Sequence, residues 1–396
     1  MTVPTPESVA VLLQEMVRIN SINRTLPGSD GGEALLVDYL AKIAGAWGLD
    51  CYRLPVAEQT DQLLIILEVD KKKPWIMFDS HLDTVAVEGM TIEPFSGELR
   101  DGRVWGRGAC DTKGTGAAML WAMYQCYTEN SQASQPNNLA LLFGVDEEVA
   151  MEGVASFINN DLPDLGWRPS AVIVGEPTEL RPVIAHHGCL RLSLTTRGKA
   201  CHSSTPHDGV SAISAMVKII DAIENEYIPS LKAEHPLAGP AVCSINTIRG
   251  GSAPNIVPDH CTIEIDRRLA PGEESAKVIT EFLQQIARLG DLRDPIRVEH
   301  TVQVDHPPLT TRNNGSLVEY IKKILDQQNL ATLTLGAPFA THASYYDAAG
   351  ISSIVLGPGS PHPAHTKDEW VDVDQIEKGV DLYRSIMETT LPACNS

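Results

Sequence analysis

The sequence lacks several features that mark particular classes of protein. Its eight cysteines include no Cys-x-x-Cys pair and no dense spacing, which excludes a disulfide-stapled scaffold or a cysteine-rich zinc site. No run of about 18 apolar residues occurs, and residues 1–15 contain no basic segment ahead of an apolar one. We therefore expect a cytoplasmic protein that does not span a membrane and is not secreted.

Positive charge is also scarce. The chain of 396 residues has 31 Lys and Arg against 51 Asp and Glu, a net charge of −20. Because binding to nucleic acid depends on basic side chains that neutralise phosphates, nucleic acid is not an expected partner. Hydrophobic residues make up 43% and charged residues 21%, an ordinary globular balance. At roughly 150 residues per domain, the length suits two or three domains.

The two ends of the chain share a pattern that differs from that of its middle. Apolar residues from Val9 to Val17 recur at helical spacing, and short buried-strand runs then alternate with helical segments such as 114–127. After Pro182, apolar and polar residues alternate with period two within the predicted strands. The pattern of the first part resumes beyond residues 305–308. We predict an α/β domain with helices on both faces of a mixed sheet, and an inserted α+β domain. Their predicted ranges are 1–180 with 304–396, and 181–303.

Histidine and carboxylate side chains follow successive predicted strands of the α/β domain. They are His81 and Asp83, Asp111, Glu147 and Glu148, and Glu176. Any one of these clusters alone is explained by a solvated strand end or a tight turn. Open α/β sheets, however, bind ligands at the carboxyl ends of their strands, and independent solvated ends are not expected to repeat in this way. The joint occurrence predicts one functional site.

The chemistry of this predicted site favours a metal over a nucleotide. The glycines of Gly106-x-Gly108 lack the third glycine of a dinucleotide loop, because Asp111 occupies that position. Lys113 is followed by glycine where a phosphate loop needs Ser or Thr. Carboxylates and imidazoles without thiolates suit zinc, cobalt or manganese. A second histidine ligand is expected from the late loop, where His365 and His362 compete.

The order of these motifs resembles the two-zinc metallopeptidase family M20, which contains acetylornithine deacetylase, succinyl-diaminopimelate desuccinylase, aminoacylase and glutamate carboxypeptidase. The resemblance covers nearly the whole chain. It implies two divalent metal ions, one held by His81, Asp111 and Glu176 and the other by Asp111, Glu148 and His365. It also implies that Glu147 is the general base and that Asp83 is the partner of His81.

The resemblance assigns further roles in the inserted domain, which in this family is a lid that pairs two chains into a homodimer. His202 would reach the partner subunit's site and polarise the scissile carbonyl. Asn255 and Arg268 would bind the substrate carboxylate, with Arg267 as the alternative to Arg268. His342 stands where many relatives have aspartate, and it is either a substrate contact or an ordinary loop histidine.

Within the family, segments such as Gly175-Glu176-Pro177-Thr178 are most similar to the acetylornithine deacetylases. This similarity implies hydrolysis of an N-acyl amino acid, above all N-acetylornithine to ornithine and acetate, a step of arginine biosynthesis. Desuccinylase, dipeptidase or carboxypeptidase activity is the alternative within the class. A non-catalytic metal-binding protein is the alternative of another class, and the retention of Glu147 beside a full ligand set argues against it.

Overall fold

The computed structural model describes residues 5–57, 60–129, 134–289 and 296–392. The chain divides into two compact units. Unit 1 comprises residues 1–184, 311–335 and 341–396, and unit 2 comprises residues 185–310 and 336–340. Both ends of the chain therefore belong to unit 1. Among the described residues, no helix has the length and apolar composition needed to cross a membrane.

The α-helices of the described ranges are labelled in chain order. They are α1 Val9–Arg18, α2 Gly32–Ala46, α3 Lys113–Glu129, α4 Glu152–Ser156, α5 Ala212–Ala222, α6 Ile228–Ser230, α7 Ser275–Ala287, α8 Gly315–Gln327, α9 Ala343–Ala348 and α10 Val373–Glu388. Helix α1 shows how the sequence specifies them. Its side chains at helical spacing, from Val9 to Val17, are buried, and the Ser8 hydroxyl accepts a hydrogen bond from the Val11 N–H at its start.

The strands are labelled in the same way. They are β1 Asp50–Ala57, β2 Thr60–Leu67, β3 Trp75–His81, β4 Glu98–Arg100, β5 Arg103–Trp105, β6 Asn138–Gly144, β7 Pro169–Val174, β8 Val183–His186, β9 Gly188–Arg197, β10 Cys201–His202, β11 Glu234–His235, β12 Gly239–Pro240, β13 Val242–Gly250, β14 Ile256–Val257, β15 His260–Leu269, β16 Arg297–His306, β17 Leu335–Ala337, β18 Ser353–Val355 and β19 Trp370–Asp372. Most of them belong to one of two larger sheets.

The larger sheet has the strand order β1-β2-β6-β3-β7-β18-β8-β17. Strands β6, β3, β7 and β18 are parallel to their neighbours in this series, whereas β1, β2 and β8 run antiparallel to theirs. Every residue of β3 and β6 is buried, which explains their continuous apolar runs, since parallel strands are covered on both faces. The predicted mixed sheet of an α/β fold is confirmed.

Helices cover both faces of this sheet. Ser80 and Asp79 are neighbours on β3, so their side chains point to opposite faces. The Ser80 hydroxyl donates a hydrogen bond to the Thr112 carbonyl, next to the start of α3, at 3.2 Å. The Asp79 carboxylate accepts one from the Tyr346 hydroxyl of α9 at 2.6 Å. Helix α3 therefore lies on one face and α9 on the other.

The register of the central strands places the functional segments side by side. His81 at the end of β3 pairs with Gly144 at the end of β6, and Asp79 pairs with Val174 at the end of β7. The chain beyond β6 carries Glu147, and the chain beyond β7 carries Glu176. Both segments therefore begin beside the end of β3, at the carboxyl ends of the central parallel strands.

Unit 2 contains a four-stranded antiparallel sheet in the order β13-β15-β9-β16. Its core is formed by alternate residues of β9 and β15 packed with the apolar faces of two helices. Met216 and Ile219 of α5 and Phe282 of α7 are among the buried residues. This combination of antiparallel strands and helices is the α+β pattern that the sequence predicts for the inserted segment.

A buried ion pair in unit 1 fixes the loop that leads into α3. The guanidinium of Arg107 lies 2.7 Å from the carboxylate of Glu369, and both side chains are almost fully buried. The same carboxylate accepts hydrogen bonds from the backbone N–H groups of Gly108, Cys110 and Asp111 at 2.8–3.0 Å. One side chain thereby holds the backbone on which Asp111 is presented.

Replacing Glu369 by alanine should lower the free energy of unfolding by about 3–5 kcal/mol, because it leaves the Arg107 charge buried without a partner. Glu369→Gln keeps an acceptor and should cost less. Urea denaturation measures both effects. As a control, Glu319→Ala removes an exposed pair with Lys322 and should change the free energy by less than about 1 kcal/mol. Equal effects of Glu369→Ala and Glu319→Ala would contradict this description of the loop.

Candidate metal centre

The imidazole of His81 is buried at the carboxyl end of β3. Its Nδ1 donates a hydrogen bond to the backbone carbonyl of Asp83 at 2.9 Å, which leaves Nε2 to face the carboxylate of Asp111 at 3.2 Å. The predicted pairing of His81 with Asp83 is thus made mainly by the carbonyl, since the nearer carboxylate oxygen lies 3.5 Å from Nδ1. Fixing one ring nitrogen in this way orients the other toward a ligand.

The carboxylate of Asp83 instead holds the segment that follows β6. It accepts hydrogen bonds from the backbone N–H groups of Glu147 and Glu148 at 3.0 and 3.1 Å. It also accepts one from the side-chain amide of Asn23, which donates a second to Asp146. No sequence pattern points to Asn23, because it lies far from the other site residues along the chain and forms no motif with them.

Asp111 lies between the two predicted histidine ligands. One of its carboxylate oxygens is 3.2 Å from Nε2 of His81, and the other is 3.1 Å from Nε2 of His365. The two oxygens therefore face different imidazoles. This is the arrangement that a carboxylate shared by two neighbouring cations requires.

Two groups of potential ligands share Asp111. Within each group, one ligand atom from every residue lies within 4.8 Å of the others. The groups are His81, Asp111 and Glu176, and Asp111, Glu148 and His365. His362, the competitor of His365, belongs to neither group found among the described residues. Carboxylate oxygens with one imidazole per group fit zinc or manganese and leave coordination positions open.

The electrostatics of the site show an excess of buried negative charge. Burial raises the pKa of Glu147 to about 8, against the opposing effect of His81, and the pKa of Glu176 is raised by burial and by the charge of Asp111. Hydrogen bonds with Asp111 and Glu148 raise the pKa of His365 to about 11. Protonated imidazoles thus compensate the carboxylates here, and a bound cation would perform the same task because buried carboxylates need compensating charge.

Two non-glycine residues of the site have backbone angles in the left-handed region. Asp146 has φ of 63° and His365 has φ of 56°. Asp and His adopt this region more readily than most residues, and such conformations concentrate at functional sites. The first turns the chain directly before Glu147, and the second turns it at the ligand His365 itself.

The imidazole of His342, which the sequence leaves open as a substrate contact or an ordinary loop histidine, is buried in unit 1 just ahead of α9. The ring is about 1% exposed, and its Nδ1 is 3.0 Å from Oδ1 of Asp79. The other carboxylate oxygen of Asp79 accepts the hydrogen bond from Tyr346. Neither Asp79 nor Tyr346 was identified from the sequence, since each has the pattern of an ordinary buried residue.

The remaining predicted residues belong to unit 2. His202 is exposed on β10, where its Nδ1 lies 2.7 Å from the Ser204 hydroxyl, and the pairing of β10 with β14 brings Asn255 close to it in the fold. Arg268 forms an ion pair with Asp266 at 2.7 Å. Its alternative, Arg267, is buried against Glu273.

Comparison with known proteins gives consistent matches. A sequence model of Peptidase family M20/M25/M40 matches residues 77–389. An acetylornithine deacetylase of Proteus mirabilis is 28% identical over 390 residues, which cover 95% of each chain. A probable carboxypeptidase of Emericella nidulans is 29% identical over 387 residues, covering 93% of this chain and 87% of the relative. An M20 family metallo-carboxypeptidase from Sulfolobus solfataricus has a TM-score of 0.77 at 18% identity, covering 96% of this chain and 99% of the other.

The family match runs from within β3 to the residue after α10 and includes every residue of the two ligand groups. The structural match extends the same α/β architecture over nearly the whole chain. The resemblance predicted from the sequence motifs is confirmed. The chain belongs to Peptidase family M20/M25/M40 and is an enzyme of the hydrolase class.

Proposed function

We propose that this enzyme hydrolyses the amide bond of N-acyl amino acids and depends on two divalent metal ions. N-acetylornithine is the foremost candidate substrate, with zinc as the metal and cobalt or manganese able to replace it. The observation that supports the proposal best is the pair of ligand groups that share Asp111. The similarity to an acetylornithine deacetylase over 95% of the chain supports the choice of substrate.

The proposed ligands of one ion are His81, Asp111 and Glu176, and those of the other are Asp111, Glu148 and His365. When bound, such ions polarise the amide carbonyl and lower the pKa of bound water toward ~7. Asp83 supports both groups, because its backbone carbonyl orients His81 and its carboxylate holds the backbone of Glu148.

Glu147 is the proposed general base. Its backbone is fixed by Asp83 while the neighbouring Glu148 turns to His365, so the two glutamates serve different tasks. The carboxylate of Glu147 would take a proton from the attacking water and deliver it to the leaving nitrogen.

Unit 2 is the proposed lid. His202 would donate a hydrogen bond to the carbonyl oxygen as negative charge develops there. Asn255 and Arg268 are proposed to bind the substrate carboxylate, for which a guanidinium offers paired donors. Arg267 is a weaker candidate, since its guanidinium is already buried against Glu273.

Carboxypeptidase or dipeptidase action is the second candidate function. It requires the same metal chemistry and differs only in the pocket for the substrate side chain and acyl group. The 29% identity to a probable carboxypeptidase favours it.

We also propose a cytoplasmic location, which is supported by the seven described cysteines, all of them free thiols.

A substrate panel tests the proposed activity. Purified protein with zinc or cobalt should release free amine from acyl-ornithines, measured with ninhydrin, and should act more slowly on dipeptides. Preference for dipeptides would support the second candidate function. No turnover of any acyl amino acid or short peptide would contradict both.

Separate substitutions test the ligands and the base. Asp111→Ala should lose both metal ions together, because the residue is shared by the two groups, and elemental analysis measures the loss. Glu147→Ala should keep its metal and lose activity by ~10²-fold or more, the usual scale for a general base. Normal metal content in Asp111→Ala would show that the ligands are wrongly assigned, and metal loss in Glu147→Ala would show that Glu147 and Glu148 are exchanged.

The proposed homodimer rests on the surface of unit 2. Strand β13 is an edge of its sheet, and Val242 and Ile248 on this strand are half exposed, as is Val217 of α5. An apolar edge strand favours pairing with a second chain.

We therefore expect a twofold dimer in which His202 acts on the partner subunit's substrate. His202→Ala should lower turnover by about 10²- to 10³-fold with unchanged metal content. Mixing His202→Ala chains with Glu147→Ala chains should restore activity, because each mixed dimer then contains one complete site. A fully active monomer in analytical ultracentrifugation would contradict the assignment.

A further inference from the structure

His342 is held in the core by a chain of buried hydrogen bonds. The Tyr346 hydroxyl donates to one oxygen of Asp79 at 2.6 Å, and the other oxygen of Asp79 lies 3.0 Å from Nδ1 of His342. All three side chains are buried. Such a chain fixes the plane of the imidazole and places a proton on Nδ1.

The opposite ring nitrogen of His342 is buried without a partner. Nε2 has no hydrogen-bond partner among the described residues, and it is inaccessible to solvent. Buried polar atoms are nearly always paired, so an unpaired one marks a functional or strained position. A direct contact with substrate would require this solvent-inaccessible imidazole to become exposed.

The backbone beside the ring leads directly to the proposed general base. A Cβ on Gly144 would lie 2.9 Å from Cε1 of His342, so this glycine makes room for the imidazole. Gly144 ends β6, and Glu147 follows on the same segment. His342 therefore packs against the strand end that presents Glu147.

We infer that His342 is a positioning residue for Glu147. Asp79 and Tyr346 fix the orientation of its ring, and its unpaired Nε2–H is available to the Glu147 carboxylate, which makes no hydrogen bond with it in this structure but would accept one in the working site. The inference rests on the proposed function, because it assigns a task relative to the proposed base. It differs from a substrate contact in that the ring acts through another residue.

The charges of the site agree with this arrangement. Burial acts to lower the pKa of His342, but the charge of Asp79 and the hydrogen bond with it outweigh that effect and raise the pKa. The charges of His342 and Glu147 also stabilise each other. A protonated ring carries hydrogen on both nitrogens, so Nε2 can donate a hydrogen bond to a nearby carboxylate.

Two conservative variants separate the two ring nitrogens. The amide of glutamine can replace Nε2 of histidine, whereas that of asparagine can replace Nδ1. His342→Asn keeps the bond to Asp79 and loses the donor at Nε2, so kcat should fall by about 10-fold or more, the scale of one hydrogen bond to a charged group, with KM little changed. His342→Gln should keep most of the wild-type kcat, with metal content unchanged in both variants.

These variants can overturn the inference. Wild-type kcat in His342→Asn would show that only the contact with Asp79 matters. A rise in KM at unchanged kcat would assign the ring to substrate binding instead.

A spectroscopic experiment decides the case in which both variants are impaired or the wild type hydrolyses no substrate. In zinc-loaded protein with ¹⁵N-labelled histidine, Glu147→Gln should shift the Nε2 resonance of His342, which is assigned by its absence from His342→Gln. Glu152→Gln, an exposed change just beyond the same segment, should leave that resonance in place. An unmoved His342 resonance in Glu147→Gln would overturn the inference, whatever the outcome of the activity assays.

Discussion

The concentration of like charge around Asp111 is the constraint on which the rest of the site depends. Glu148 and Glu176 converge on this carboxylate with two imidazoles, within a largely buried space. Carboxylates that are removed from water repel one another unless positive charge lies between them. The two oxygens of Asp111 already face opposite imidazoles, so the same geometry can accommodate a cation on each side.

The surrounding fold holds these charges in place with neutral and paired groups. Backbone N–H groups fix the carboxylates of Asp83 and Glu369, and the central strand β3 orients His81 between its neighbours β6 and β7. Most of the ligands therefore follow rigid strand ends, whose register decides which side chains meet, while Asp111 lies on the loop that Glu369 holds. His365, on a more exposed loop, is a further exception, and its left-handed backbone turns it toward the site.

Much of this site could be predicted from the sequence because its side chains follow short apolar runs, which predict buried strands. His81, Asp111 and Glu176 were identified from the pattern of strand ends, and the resemblance supplied their grouping. Asn23, Asp79 and Glu369 could not be identified in that way, since their contacts join segments that are distant along the chain. His342 shows the same limit, because a loop-like sequence gives no sign that Gly144 leaves a buried space for its ring.

The most direct test of the charge arrangement is the anomalous scattering from a crystal of the protein grown with zinc. Two anomalous peaks per chain are expected on either side of Asp111, one beside His81 and Glu176 and the other beside Glu148 and His365. Peaks elsewhere with none at Asp111, or a lone peak that does not contact Asp111, would contradict a shared carboxylate between two cations.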